Sequence, residues 1–411
     1  MKIWLKHHWL EVMILSLSLL VRLVFSLDIH PIQNYIFSDM NSYLGISQRL
    51  LEHDRSLSNV FYPIGYPLFL TFISKVLPNL FFPAIAILQS LMGLTSLILL
   101  YAISKNVLSN KFRLIFLIIL ACYYPWIDFG GYLMSETLAT LLLILAVYLS
   151  FFSFNHGNLL WLFFLPIIIG LGTLVRANLL LPGIFLILWL GFQARLTLRS
   201  LCVVICGALL SYLLSFQVYK TYGGISRPLA LNGGLNFTQG QCQYRGAFDS
   251  YGWTFGPPVF TQRDFQIEKS FDQPFTNSGY FYRQGINCLI ANPIRIIEKP
   301  TELYYLFFGN VAWPSSDQPG FGTAMKVSHA LFNVTILPGL FIATYLFIKE
   351  RKKLFKTRLA VLAIVVLSLV ATTVVYYADI RYRLPFDGFL ILLSLWAYQS
   401  LALKNSKLIR E

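Results

Sequence analysis

Ten apolar runs constrain this chain more than any other feature of its sequence. They fall at residues 9–27, 82–104, 114–133, 137–154, 159–175, 179–192, 201–219, 327–348, 359–377 and 389–403 of 411. A bilayer's hydrocarbon core, about 30 Å thick, takes about 20 apolar residues in a helix. Among open chains only the helix satisfies its own backbone polar groups there. An all-α polytopic membrane protein with about ten transmembrane helices is therefore expected. Only 12% of residues are charged, against roughly 25% in soluble domains. That excludes a soluble globular protein, and the abundance of apolar residues excludes disorder.

A net charge of +14 in a soluble protein would raise the question of nucleic acid. Here the basic residues sit in short segments between apolar runs, as the positive-inside rule expects, and no nucleic-acid partner is assigned. Three choices fix the topology. The first run carries Glu11 and Arg22 and has no small-residue cleavage site, so it is read as a retained span. Residues 62–81, broken by Pro63, Pro67, Lys75 and Pro78, are laid along the interface. Residues 159–192 are too long for one crossing and are split at Arg176 and Asn178. Lys105, Lys111, Arg113, Arg195, Arg199 and the basic segments 349–358 and 404–410 then all face the cytoplasm. This predicts a multi-pass protein of the plasma (inner) membrane with both termini cytoplasmic. Outside lie 28–81, the turns around Glu136 and Arg176, the loop 220–326 and the segment 378–388. The organisation read from this is an N-terminal transmembrane catalytic module at 1–219, an extracytoplasmic loop region at 220–326 and C-terminal spans at 327–411.

Cys122, Cys202 and Cys206 fall in spans and read as packing residues. Cys242 and Cys288 share the large outer loop, where an oxidising compartment would let them pair, a gain of about 3–4 kcal/mol. The six histidines show no ligand spacing. With no Asp-x-Asp motif, P-loop or other nucleotide-binding loop, neither metal, cofactor nor nucleotide-sugar donor is expected.

Acidic residues are scarce, so those on the outer side carry information. Tyr43, Leu44, Ile46, Leu50 and Leu51 alternate with Arg49, Glu52 and His53 in an amphipathic stretch, 43–53, suited to the headgroup plane. Asp39 stands at its start. Two readings are open: a helix-dipole partner with Ser38 as cap, or a catalytic acid at the membrane surface. Asp128 and Glu136 flank an outer turn, each either a dipole partner or an acid orienting a sugar hydroxyl. Arg176 lies at or near membrane depth, where a guanidinium needs an anionic partner: Asp39, Glu136 or a lipid phosphate. In Arg381-Tyr382-Arg383-Leu384-Pro385, Pro385 pushes Leu384 out of the helical region. If Arg381–Arg383 is extended as well, both guanidiniums point the same way and match phosphate oxygens; snorkelling to lipid headgroups or ion pairs to Asp379 and Asp387 are the alternatives. The stretch Asn232–Gln241 and the aromatic, glycine-rich run 244–260 read as turn-rich loop that can approach a sugar.

These pieces, in this order, resemble the bacterial family 39 membrane glycosyltransferases of the GT-C superfamily, relatives of protein O-mannosyltransferases and of the lipid A aminoarabinose transferase. The matching pieces are Ser38-Asp39 with Tyr43, Tyr62-Pro63-Ile64-Gly65-Tyr66-Pro67, Met134-Ser135-Glu136 and Leu174-Val175-Arg176. They continue with Asn232-Gly233-Gly234-Leu235-Asn236, Ala291-Asn292-Pro293 and Arg381-Tyr382-Arg383-Leu384-Pro385. The resemblance implies a GT-C fold with interfacial helices in the first outer loop and a small extracytoplasmic loop domain. It implies an extracytoplasmic active site, a polyprenyl-phosphate sugar donor and Asp39 as the essential acid, with Tyr43, Asp128, Glu136, Arg176, Arg381 and Arg383 as substrate-binding residues. The expected activity is inverting transfer to a hydroxyl of a lipid, glycan or protein acceptor, among membrane lipids as surroundings. The sequence departs from the family in Met40 where protein mannosyltransferases carry Glu, in Gln241 where Asn is expected and in Gly388 where a second Pro often stands. No Trp-Trp-Asp triplet occurs, which argues against an oligosaccharyltransferase. A lipid-linked-sugar flippase and a surface-polysaccharide polymerase or ligase are the competing classes.

Overall fold

The computed structural model describes residues 2–156, 159–193, 197–242, 277–291, 293–309, 319–355 and 357–408. All regular elements among them are helical. The longer ones are α1 (Lys2–Val24), α2 (Asp39–Leu51), α3 (Gly65–Val76), α4 (Phe81–Ser104), α5 (Asn110–Ala121), α6 (Tyr124–Asp128), α7 (Glu136–His156), α8 (Leu159–Val175), α9 (Leu180–Gln193) and α10 (Leu198–Gly223). There follow α11 (Gly233–Cys242), α12 (Ser278–Ala291), α13 (Arg295–Glu298), α14 (Thr301–Phe308), α15 (Pro319–Thr335), α16 (Leu337–Lys349), α17 (Arg351–Leu354), α18 (Leu359–Val375), α19 (Ile380–Arg383) and α20 (Asp387–Leu408).

Five segments are long and apolar enough to cross a membrane: His8–Ile29, Pro78–Ser104, Leu198–Gly223, Gly322–Lys349 and Ile380–Leu403. A sixth, Asn110–Ala121 with Tyr124–Gly131, is bent by 48°. Four shorter apolar helices, Glu136–Phe152, Leu159–Val175, Ala177–Phe192 and Leu359–Val375, coincide with the remaining runs. The run 114–133 is thus two pieces rather than one straight span. Pro125 enters α6 in its first turn, where its ring bars continuation of the preceding helix.

Helix α8 packs between α7 and α10, α4 lies on α1 and α7, α9 on α18, and α16 on α20. The α8–α10 approach is close: a Cβ at Gly207 would run into the Phe163 carbonyl, the kind of contact small residues permit between membrane helices. The opposite face of α10 is bare, and Cys202 and Cys206 lie on it. They and Cys122 are exposed, not packed inside the bundle as the sequence suggested. The thiol is a small apolar group that tolerates a lipid-facing position.

Because consecutive helices alternate in direction, residues 39, 136, 176 and 381 gather at one end of the bundle. At the other end the basic connection 105–113 meets Arg358, which donates to Asn106, and Gln399, which accepts from the Ser109 amide (2.8 Å). Helices α2 and α3 pack on one another and are too short to span. The segment Gly233–Cys242, expected as a turn-rich loop, is a helix packed along α12 and joined to it by a Cys242–Cys288 disulfide (Cα–Cα 5.3 Å). The aromatic run 244–260 lies outside the described residues.

Candidate active site

Asp39 is the first residue of α2, and the chain enters that helix through Ser38 at φ 50°. A non-glycine residue there is strained by ~1–3 kcal/mol. Ser38 makes no side-chain cap, contrary to the capping reading, because its backbone has left the extended geometry that capping needs. The strained turn presents the Asp39 carboxylate to a cavity of about 600 Å³, a size typical of small-molecule sites.

Four remote segments meet there. Arg381 Nη1 donates to Asp39 Oδ2 at 3.0 Å, and Tyr62 OH donates to Asp39 Oδ1 at 3.4 Å. Glu136, at the start of α7, is fully buried; its Oε1 lies 2.6 Å from Arg176 Nη1 and 3.4 Å from Arg381 Nε. Arg176 therefore takes Glu136, of the partners the sequence left open. Burial opposes the Arg176 charge, but the Glu136 carboxylate more than offsets it and raises its pKa. Burial, then Asp39, push the Tyr62 phenol up to about 12, and burial with Asp39 and Glu136 raises Tyr43 as well. Both phenols stay protonated at neutral pH.

The Arg-x-Arg segment is a helical turn, not an extended strand. Asp379 Oδ1 caps it by accepting from the Arg381 amide (2.8 Å), and Leu384 is helical (φ −48°, ψ −46°) despite the following proline. The Leu384 carbonyl accepts from Trp126 Nε1 at 3.0 Å, which holds that pre-proline residue in place. The two guanidiniums consequently serve different partners. Arg381 reaches Asp39 and Glu136; Arg383 donates through Nε to Asp387 Oδ1 at 2.8 Å and stacks 4.0 Å over Phe332. Asp387 also accepts from Tyr123 OH at 2.6 Å. Both arginines still line the one cavity, as do Tyr43, Glu136 and Arg176. Asp128 does not: it is buried outside the lining, accepting from Tyr124 OH at 3.2 Å.

Motifs quoted separately along the sequence touch in space. The Cβ position of Gly65 lies 2.8 Å from the Leu174 carbonyl, so only glycine admits the end of α8 beside α3. The Asn232 amide donates to the Phe61 carbonyl (3.0 Å). Tyr66 OH donates to Gln89, whose amide bonds the Gly130 and Tyr132 carbonyls (2.9 Å each). A Cβ at Gly388 would sit 2.9 Å from the Trp126 ring, and Gln241 donates to the Val375 carbonyl; both departures from the family pattern have a packing role. Asn292 lies outside the described residues. Sequence reasoning missed His329, which lines the cavity; a single histidine inside an apolar run carries no local signal. Among the described residues no cluster of His, Cys, Asp and Glu is arranged to hold a metal.

A cavity lined by carboxylates and guanidiniums thus lies at the ends of apolar helices. Residues 62–219 match the model of the dolichyl-phosphate-mannose-protein mannosyltransferase family. The whole chain is similar in fold to the oligosaccharyltransferase of Archaeoglobus fulgidus. The structure with a tethered acceptor peptide gives a TM-score of 0.51 at 13% identity over 98% of this chain, and the apo form 0.50 at 14% identity over 99%. The chain spans about half the length of those structures, 50% and 52%. The fold is thus the GT-C type of membrane glycosyltransferases. A comparison with curated proteins finds no match.

Proposed function

We propose that this chain is an inverting glycosyltransferase that moves a sugar from a polyprenyl-phosphate donor to a hydroxyl acceptor at the outer membrane surface. The observation that carries the reading is the meeting of Asp39 with the Arg381–Arg383 segment, 342 residues on, in one cavity. The outer location rests on the basic connection 105–113 lying at the opposite end of the bundle. A cysteine replacing Ser109, in that connection, should react with an impermeant maleimide from the cytoplasmic side only; labelling from outside would invert the assignment.

Asp39 takes the proton of the acceptor hydroxyl while its oxygen bonds the anomeric carbon. The bond from that carbon to the phosphate oxygen breaks, and its electron pair leaves with the phosphate. Arg381 orients the carboxylate through Oδ2 and Tyr62 through Oδ1. Arg383 faces the charge that builds on the departing phosphate, where preorganised donors count most. General-base catalysis is worth about 10²–10⁴-fold. Asp39→Asn in proteoliposomes supplied with a polyprenyl-phosphate sugar should lose at least about 10²-fold in turnover and keep donor binding. Transfer at the wild-type rate would refute the base assignment. Donor translocation without transfer by the wild type would make the protein a transporter.

A further inference from the structure

Arg383 is held on every side but one. Its side chain is 2% exposed, Nε donates to Asp387, and the guanidinium plane lies against Phe332. Nη2 faces His329 Nδ1 at 3.4 Å. Arginine can only donate, so Nδ1 accepts and the ring's proton sits on Nε2; its partner is the Phe307 carbonyl, which also accepts from Asn333 Nδ2 at 2.7 Å. The remaining nitrogen, Nη1, is buried with no hydrogen-bond partner among the described residues. An unpaired guanidinium nitrogen is costly to bury, and this one belongs to a residue lining the cavity. Arg381, in contrast, already holds Asp39.

We infer that His329 is a positioning residue that locks the Arg383 fork so that Nη1 is presented to one anionic oxygen, the phosphate of the lipid-linked donor. The assignment rests on the donor class proposed above. His329, Phe332 and Asn333 lie on one helix, α15, so a single element sets the guanidinium's angle. A neutral imidazole is required, because an imidazolium would set two cations against each other.

The test is binding of a polyprenyl phosphate to the purified full-length protein in nanodiscs, beside steady-state transfer. His329→Ala frees Nη2 and should weaken binding about tenfold, the effect of one hydrogen bond to a charged group. It should lower kcat/KM for the donor by at least the same degree. His329→Gln supplies a carbonyl acceptor and should restore binding to within about threefold, which a general folding defect would not do. Binding equal to wild type in His329→Ala, or no rescue by Gln while both variants remain folded, overturns the role of His329 and leaves the donor class standing. Failure of the wild type to bind polyprenyl phosphate overturns both.

Discussion

Replacing Glu136 by Gln is the sharpest physical test of the site. The carboxylate is fully buried and faces two guanidiniums at 2.6 and 3.4 Å. Two unit charges ~4 Å apart attract by ~4 kcal/mol at an effective dielectric near 20, and part of that is spent on desolvation. Removing one partner of a buried pair therefore costs ~3–5 kcal/mol, chiefly because the other charge is left behind. Arg381 keeps Asp39 at 3.0 Å, so the loss belongs at the lower end, ~3 kcal/mol. It is read by chemical denaturation in mixed micelles. A double-mutant cycle with Arg176→Gln isolates the pair: because the second substitution removes the stranded charge, the double variant should be at least ~1.5 kcal/mol more stable than the sum of the single losses predicts. A Glu136→Gln protein within ~0.5 kcal/mol of wild type, or strictly additive losses, would show that the two residues are not coupled and that the geometry described here is wrong.

Two further outcomes follow from the packing. Cys242→Ser with Cys288→Ser should cost ~3–4 kcal/mol and lower transfer as well, because α11 bonds the Val375 carbonyl through Gln241 just before the Arg-x-Arg turn; unchanged thermal stability and activity would detach the hairpin from the site. Gly65→Ala sets a methyl 2.8 Å from the Leu174 carbonyl and should cost ~1–3 kcal/mol, visible as a lower midpoint, whereas an unshifted midpoint would mean that α3 and α8 sit further apart.

The membrane architecture was legible because the bilayer acts on each residue locally: an apolar run declares itself without its neighbours. Where a proline interrupts the pattern, as at Pro125, the run is visible but the 48° bend is not. The Arg381–Arg383 segment shows the limit from the other side. Its residue types were informative, but its backbone was decided by a cap from Asp379 and a bond from Trp126, the second of them 258 positions away. Glycines misled at 233–241. Gly233, Gly234 and Gly240 looked like turn residues, yet Gly240 is small because the Tyr376 carbonyl passes against it, and the segment is helical. The partner of Arg176 was legible only as one of three alternatives, and His329 was not legible at all. Both answers depend on which helix ends the fold brings together.

Two of the helices that carry the site are short. Helices α8 and α18 have 17 residues each, a rise of ~25 Å against a hydrocarbon slab of ~30 Å. Such hydrophobic mismatch is relieved by thinning the surrounding lipid. Both helices end beside the cavity, at Val175 and Val375. For the donor class proposed above, thinning of the lipid around these helix ends would shorten the distance that a substrate anchored by a long chain must rise to reach the cavity.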